Sequence, residues 1–293
     1  MSVHERTVIV GVDDSPGADA ALRWAIDDAG ARHAPVRLVC VYRWVPGYGW
    51  SAPYVGAPEV DLDYNRKVAE QLIATAIEHA AELAAGVEVS GEAIDGDAVP
   101  VLVAESAHAA LVVLGSRHLE ALGSAVLGSV GAGAAARAAC PVVVVRGPAG
   151  DPVEHAGVVV GVDGTDASRA VLEFGFAHAS RHGVPLRAVL CWRPDLLASM
   201  QWRPEPPPPQ RAAVWLAEAM AGWNEQYPDV EVHSSVVREH PVSGLVAESA
   251  AQYLLVVGSR GRHALAGTLL GSVSQGVLHH ASCPVAVVPS HTG

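Results

Sequence analysis

Val8-Ile9-Val10-Gly11-Val12-Asp13-Asp14-Ser15 is answered 150 residues later by Val158-Val159-Val160-Gly161-Val162-Asp163-Gly164-Thr165. Each octet is a β-branched run that closes on a glycine and an aspartate, the composition of a buried parallel strand ending in a turn. Three more segments repeat in the same order, now 143 residues apart. Leu111-Val112-Val113-Leu114-Gly115-Ser116-Arg117 is matched by Leu254-Leu255-Val256-Val257-Gly258-Ser259-Arg260, and Gly128-Ser129-Val130 by Gly271-Ser272-Val273. Cys140-Pro141-Val142-Val143-Val144-Val145 is matched by Cys283-Pro284-Val285-Ala286-Val287-Val288. Repetition of this length and order marks a tandem duplication. The offset falls between the second strand and the following helix, so the first copy carries the longer connection, a Gly-, Pro- and aromatic-rich loop around residues 42–61.

Working outward, strand and helix patterns alternate. In the first copy strands are expected at 7–12, 36–42, 87–93, 110–114 and 142–145, and helices at 18–32, 65–85, 100–109 and 129–138, with a Gly-punctuated loop over 115–128. The second copy repeats the order, with strands near 157–162, 186–192, 230–237, 253–257 and 285–288. Parallel strands need crossover connections, so each copy reads as an α/β doubly wound sheet. Residues 1–147 and 157–293 are the two expected domains, with the short polar stretch 148–156 as linker. The Pro204–Pro209 run reads as a stiff loop inside copy two. The last strands, 142–145 and 285–288, are short and apolar and are expected at an edge, where they invite pairing.

Half of the 293 residues are apolar, enough for a core in each copy, and 31 acidic against 19 basic residues give a net charge of −12. That balance opposes docking on nucleic acid or anionic lipid. No apolar run reaches membrane-spanning length and the N-terminus lacks a signal-peptide layout, so a cytoplasmic protein is expected. The four cysteines, with no CxxC pair, read as reduced, buried thiols; Cys40 is aligned with Cys191 and Cys140 with Cys283.

In an open α/β sheet, ligands bind beyond the carboxyl ends of the strands at the switch point, where the first strand neighbours the fourth. Asp13 and Asp163 follow the first strands; Gly115 and Gly258 follow the fourth. Copy two reads Gly258-Ser259-Arg260-Gly261, then nine residues, then Gly271-Ser272-Val273 opening a helix. Glycines admit close backbone approach, Ser272 offers a hydroxyl, and the helix N-terminus favours an anion, so this is an expected phosphate cradle. Arg260 and Arg262 would add charge, unless they are simply solvated at a loop tip.

This Gly-x2-Gly-x9-Gly-Ser pattern, with an Asp after the first strand, resembles the ATP-binding branch of the universal stress proteins, and the resemblance covers nearly the whole chain, twice. It implies two tandem Rossmann-like (adenine nucleotide alpha hydrolase-like) domains, each a five-stranded parallel sheet with helices on both faces. It also implies ATP as ligand, alone or with Mg2+. In copy two the site would comprise Gly161, Asp163, the backbone of Trp192, Gly258, Ser259, Arg260, Gly261, Arg262, Gly271, Ser272 and Val273. In copy one it would comprise Gly11, Asp13, the backbone of Val41, Gly115, Ser116, Arg117, Gly128, Ser129 and Val130. The family pattern assigns the aspartate to the nucleoside, the second strand to adenine, and the Gly loop to the phosphates. Copy one departs at one position, where His118 replaces the second glycine. It would either crowd the phosphates and strain the backbone or contact phosphate as a neutral donor.

Other readings stand beside these. Asp13 and Asp163 could instead cap the first helices. The Gly-x-Gly-x-x-Ala lookalike at 131–136 reads as helix packing. His279-His280 reads as a surface or capping pair, and no metal site is expected from the 14 histidines. Trp44, Trp50, Trp202, Trp215 and Trp223 read as loop and helix packing more readily than as a partner surface. With Lys67 as the only lysine there is no Walker motif, and no nucleophile elbow is present, so catalysis is not expected. The resemblance implies a nucleotide-dependent stress-adaptation or signalling module with an unidentified protein partner, the two copies forming a pseudo-dimer and two chains a homodimer. A weak ATPase or nucleotidyl-transferring enzyme, and a nucleotide-free interaction protein, are the alternatives.

Overall fold

The computed structural model describes residues 7–43, 63–84, 86–119, 124–126, 128–146, 156–165, 167–192, 209–261 and 270–289. The first half runs β1 (Val8–Gly11), α1 (Pro16–Arg32), β2 (Val36–Tyr42), α2 (Tyr64–Leu83), β3 (Val89–Asp95), α3 (Ala98–Ser106) and β4 (Leu111–Gly115). It closes with β5 (Arg117–Leu119), β6 (Ser124–Val126), α4 (Ser129–Arg137) and β7 (Val142–Val145). The second half runs β8 (Val158–Gly161), α5 (Ser168–His182), β9 (Leu186–Cys191), α6 (Pro209–Met220), α7 (Trp223–Gln226) and β10 (Val232–Val237). Then follow α8 (Pro241–Glu248), β11 (Leu254–Gly258), α9 (Ser272–His280) and β12 (Val285–Val288). Both halves are α/β, as the alternating patterns require.

Each half has a parallel five-stranded sheet, β3-β2-β1-β4-β7 and β10-β9-β8-β11-β12. The two last strands pair antiparallel with one another, Val285 opposite Val144, Ala286 opposite Val143 and Val287 opposite Val142, which fuses the halves into one ten-stranded sheet. The edge expected at each last strand therefore exists only within its own half. Successive residues of β1 serve opposite faces: Val8 and Val10 join the core beneath α1, α2, α5 and α6, whereas Ile9 joins the core beneath α3, α4, α8 and α9. Burial on both faces is why these strands read as unbroken apolar runs.

Some boundaries differ from expectation. The third strand starts at Val89, two residues late, because Val87 N–H closes a turn onto Ala84 and parallel pairing begins only where Val36 N–H meets the Glu88 carbonyl. α2 ends at Leu83 because Ala84 is extended, and α3 covers Ala98–Ser106, with Pro100 in its first turn, where proline is tolerated. The expected 115–128 loop contains an antiparallel hairpin, His118 opposite Ala125. The long connection of copy one, the Pro-rich loop, the linker 148–156, and Trp44, Trp50 and Trp202 fall wholly or largely outside the described residues. Trp223 is a packing residue: it stacks on Phe176 at 5.3 Å and its indole N–H donates to the Ala219 carbonyl. Residues 131–136 lie inside α4.

The register corrects one sequence alignment. Gly11 pairs with Val39 and Gly161 with Val189, so the counterpart of Cys191 is Val41, and Cys40 corresponds to Leu190. Cys40 packs with Ala69 and Ile73 of α2, while Cys191 lies against α8, where a Cβ on Gly244 would come within 2.7 Å of its Sγ. The two thiols thus face opposite sides of the sheet. By the same register, the counterpart of Trp192 is Tyr42 rather than Val41.

Candidate functional site

The first and fourth strands of each half are neighbours, β1 with β4 and β8 with β11, so the switch point lies where the sequence placed it. Gly11 and Gly161 are the last residues of their strands, and both are closely approached by leucine side chains. A Cβ would stand 2.5 Å from Leu114 Cδ2 at Gly11 and 3.0 Å from Leu245 Cδ1 at Gly161.

In the second half, Asp163 follows β8 and is partly buried. Its Oδ1 accepts from Thr165 N–H at 3.0 Å, from the Thr165 hydroxyl at 2.6 Å and from the Ser168 hydroxyl at 2.8 Å. The aspartate is therefore oriented by a turn and by the helix behind it. It does not cap α5, whose N-cap is Ala167. Its Oδ2 faces the loop after β11: a Cβ on Gly261 would stand 3.0 Å from that oxygen. Ser259 is tied to the sheet by its N–H to the Val288 carbonyl, and its own carbonyl accepts from Gly271 N–H at 2.8 Å and from the buried Ser274 hydroxyl at 3.2 Å. These bonds set the start of α9, with Gly271 as N-cap and Ser272 exposed in its first turn, against the end of β11. Among the described residues no side chain caps α9, which leaves the amides of its first turn, around Ser272 and Val273, as donors for an anion. Arg260 is exposed at the loop tip, and Arg262 lies outside the described residues. Trp192, beyond β9, donates its backbone N–H to the Val237 carbonyl, and the exposed Arg238 sits 5.7 Å from its ring centroid.

The first half brings the counterparts to the same place and arranges them differently. Asp13 is exposed and its Oδ1 accepts from Ser15, backbone and hydroxyl, as a local turn before the Ser15 N-cap of α1. A Cβ on Gly115 would lie 2.2 Å from the carbonyl of Gly17, and a Cβ on Gly17 2.2 Å from the carbonyl oxygen of Ser116. The start of α1 is thus seated directly on the end of β4. Its counterpart in the second half is Ala167, which already carries a Cβ, and a Cβ on Gly258 meets nothing nearer than the Arg260 carbonyl at 3.0 Å. Arg117 and His118 lie in the β5–β6 hairpin, so His118 has extended rather than strained backbone. Gly128 caps α4 as Gly271 caps α9, with Ser129 exposed and Val130 packed on the core. Val41 lies inside β2, paired with Ile94.

One group of polar residues escaped the sequence reading. Asp28 of α1 and His178 and His182 of α5 meet at the junction of the halves, their ligand atoms within 4.8 Å of one another. The signal was the four-residue spacing of the histidines, which puts them on one helix face; Asp28 is remote in sequence.

The sequence profile described as the universal stress protein family matches residues 5–146 and again 157–289. Universal stress proteins of Mycobacterium bovis and Mycobacterium tuberculosis are each 39% identical over 291 residues, with 96% of both chains covered. One from Mycolicibacterium smegmatis is 36% identical with 98% of both covered. A crystal structure of a universal stress protein from Archaeoglobus fulgidus superposes with a TM-score of 0.70 at 19% identity, covering 99% of this chain and 100% of that one, a likeness of fold. Two profile matches in order and relatives of matching length agree with the internal pairing of the two sheets, and the chain belongs to the universal stress protein family as a tandem of two family domains.

Proposed function

We propose that this chain is an ATP-dependent stress-adaptation module whose second half holds the nucleotide and whose first half serves as a scaffold. The observation that carries the reading is the approach of Gly261 to Asp163: backbone passes so close to an oriented carboxylate that a Cβ would stand 3.0 Å from its oxygen. Glycine in such a loop leaves room for a ligand against bare backbone. Asp163 would take the ribose hydroxyls, the segment beyond β9 the adenine, and Gly258, Gly261 and the start of α9 the phosphates. Mg2+, where it accompanies ATP, would be held by the phosphates. In the first half the close Gly17–Gly115 approach and the extended His118 in the hairpin are what support a scaffold role. Little or no hydrolysis is proposed: the single lysine, Lys67, lies on α2 of the first half rather than in the glycine loop, so the loop carries no Walker-type lysine. A cytoplasmic protein that signals to a protein partner, and pairs as a homodimer, completes the proposal.

The test is the nucleotide released by denaturing the purified protein, measured by chromatography, with calorimetric titration of the stripped protein. About one ATP per chain is expected in wild type and in Asp13→Ala, and none in Asp163→Ala or Gly261→Val with native circular dichroism. Two ATP per chain would make the first half a second sensor. No nucleotide, together with no thermal shift on adding ATP, would overturn the reading in favour of a nucleotide-free interaction protein.

A further inference from the structure

The pseudo-twofold relation between the halves sets α1 against α5. Residues 150 apart correspond, so Asp28 is the counterpart of His178, Arg32 of His182 and Trp24 of Phe174. Asp28 and His178 meet where the two helices touch, and both are fully buried. Asp28 Oδ1 is 3.2 Å from His178 Nδ1 and 3.3 Å from His182 Nε2. Donor atoms around a tetrahedral zinc at about 2.0–2.1 Å stand roughly 3.3 Å apart, so both measured separations fit two edges of one coordination tetrahedron. Neither ring nitrogen of His178 is aligned to make a hydrogen bond, although the ring is sealed from water. A buried polar atom facing a carboxylate without an aligned hydrogen bond is costly, and an ion shared with Asp28 would supply the interaction that Nδ1 lacks.

The outer shell has the form a metal site needs. Arg32 Nε donates to Asp28 Oδ2, leaving Oδ1 as the monodentate ligand atom. His182 Nδ1 lies 3.4 Å from the Tyr253 hydroxyl and 3.7 Å from Asp27 Oδ2, and Tyr253 itself donates to Asp27 Oδ2 at 2.6 Å. That arrangement turns Nε2 of His182 inward as the ligand atom, with the Tyr253 hydroxyl behind Nδ1 and the Asp27 carboxylate behind the hydroxyl, an outer shell of the kind that orients metal-bound histidines. Trp24, Phe174 and Tyr253 stack or tilt around His178 and keep the ring in place.

We propose that Asp28, His178 and His182 form a divalent transition-metal site, with zinc the best-matched ion, that clamps the two halves of the chain together. Two imidazoles and one carboxylate suit zinc and leave a fourth position for water. The Arg32 charge makes the site weaker than an all-anionic one and sets the carboxylate's orientation. The site is separate from the nucleotide cradle, so the two can fail independently.

The test uses the full chain, stripped with chelator and titrated with zinc alone by calorimetry, followed by anomalous diffraction at the zinc edge on wild-type crystals. Expected are one zinc per chain, an upward shift of the melting temperature, and an anomalous peak between α1 and α5. His182→Gln should abolish binding, Asp27→Asn should weaken it about tenfold, and a His279→Ala/His280→Ala double variant should leave it unchanged. Zinc retained unchanged by a folded His182→Gln, an anomalous peak elsewhere in the chain, or no uptake by wild type would each overturn the proposal. The diffraction arm needs no variant, so it decides the matter if His182→Gln does not fold.

Discussion

The carbonyl of Gly17 lies so close to Gly115 that a Cβ on the latter would stand 2.2 Å from it, and a Cβ on Gly17 would be equally close to the Ser116 carbonyl oxygen. Backbone meets backbone at this point, so no side chain can swing aside to make room. Gly17→Ala should therefore force α1 away from β4 and cost about 3 kcal/mol, the upper range for overpacking a filled site. Urea denaturation checks it, with Gly86→Ala, where an added Cβ meets nothing within 4 Å, as the companion that should change stability little. Equal midpoints for the two variants would show that the contact is softer than the geometry implies.

That contact also marks where the sequence stopped being informative. The strand runs, their order and the switch point were legible because burial on both faces writes an unbroken apolar string, and duplication writes it twice. Asp163 and the glycines after β11 were legible because chemistry and spacing recur together. Gly17 was not: in Asp-Ser-Pro-Gly it reads as an ordinary turn glycine, and its real partner is 98 residues away. The alignment of Cys40 with Cys191 failed for a related reason. Identity of a residue type outweighed register, and with a side-chain period of two a one-residue slip moves a thiol to the opposite face of the sheet. His118 looked like a strained substitution in a glycine loop, but its backbone is extended opposite Ala125 in a hairpin, which only the β5–β6 pairing reveals.

The junction of the sheets gives a second expectation. Ala286 is fully buried opposite Val143 at the antiparallel seam between β7 and β12. Ala286→Asp would bury a carboxylate with no counter-charge, and an uncompensated buried charge costs about 3–5 kcal/mol. Scanning calorimetry should show one transition in wild type and a lowered, split transition in the variant, because the seam fails before either half does. A lowered but undivided transition would mean that the helix contacts between α1 and α5 hold the halves together without the strands.

Phe176 tests the core beneath α1, α2, α5 and α6. It is fully buried, stacked 5.3 Å from Trp223 and 5.5 Å from Tyr227, and so joins α5 to the short α7. Phe176→Ala should cost about 4 kcal/mol, since the cavity left by a phenyl ring adds to the lost transfer energy. Phe176→Leu should recover a large part of it. Loss of the near-ultraviolet signal of Trp223 at unchanged far-ultraviolet signal is the expected signature; an unchanged tryptophan environment would contradict the stacking.

The cysteines should be slow toward thiol reagents in the folded chain. Burial pushes the Cys40 thiol up to about 11, with Asp13 and Asp14 adding to it, and burial likewise raises Cys140 to about 12 and Cys191 to about 11. Cys283 is raised by the same cause. Against an unfolded value near 8.5, a folded value of about 11 leaves roughly one thiolate per thousand at pH 8, so labelling should await unfolding. The linkage has a definite sign. Below about pH 8.5 both states keep their protons and the contribution to stability is complete. Between there and about 11–12 the unfolded chain gives up protons that the folded chain retains, so stability falls as pH rises. Urea midpoints across this range should decline less steeply in Cys140→Ala than in wild type, and equal slopes would show that Cys140 is not a group the folded state holds protonated.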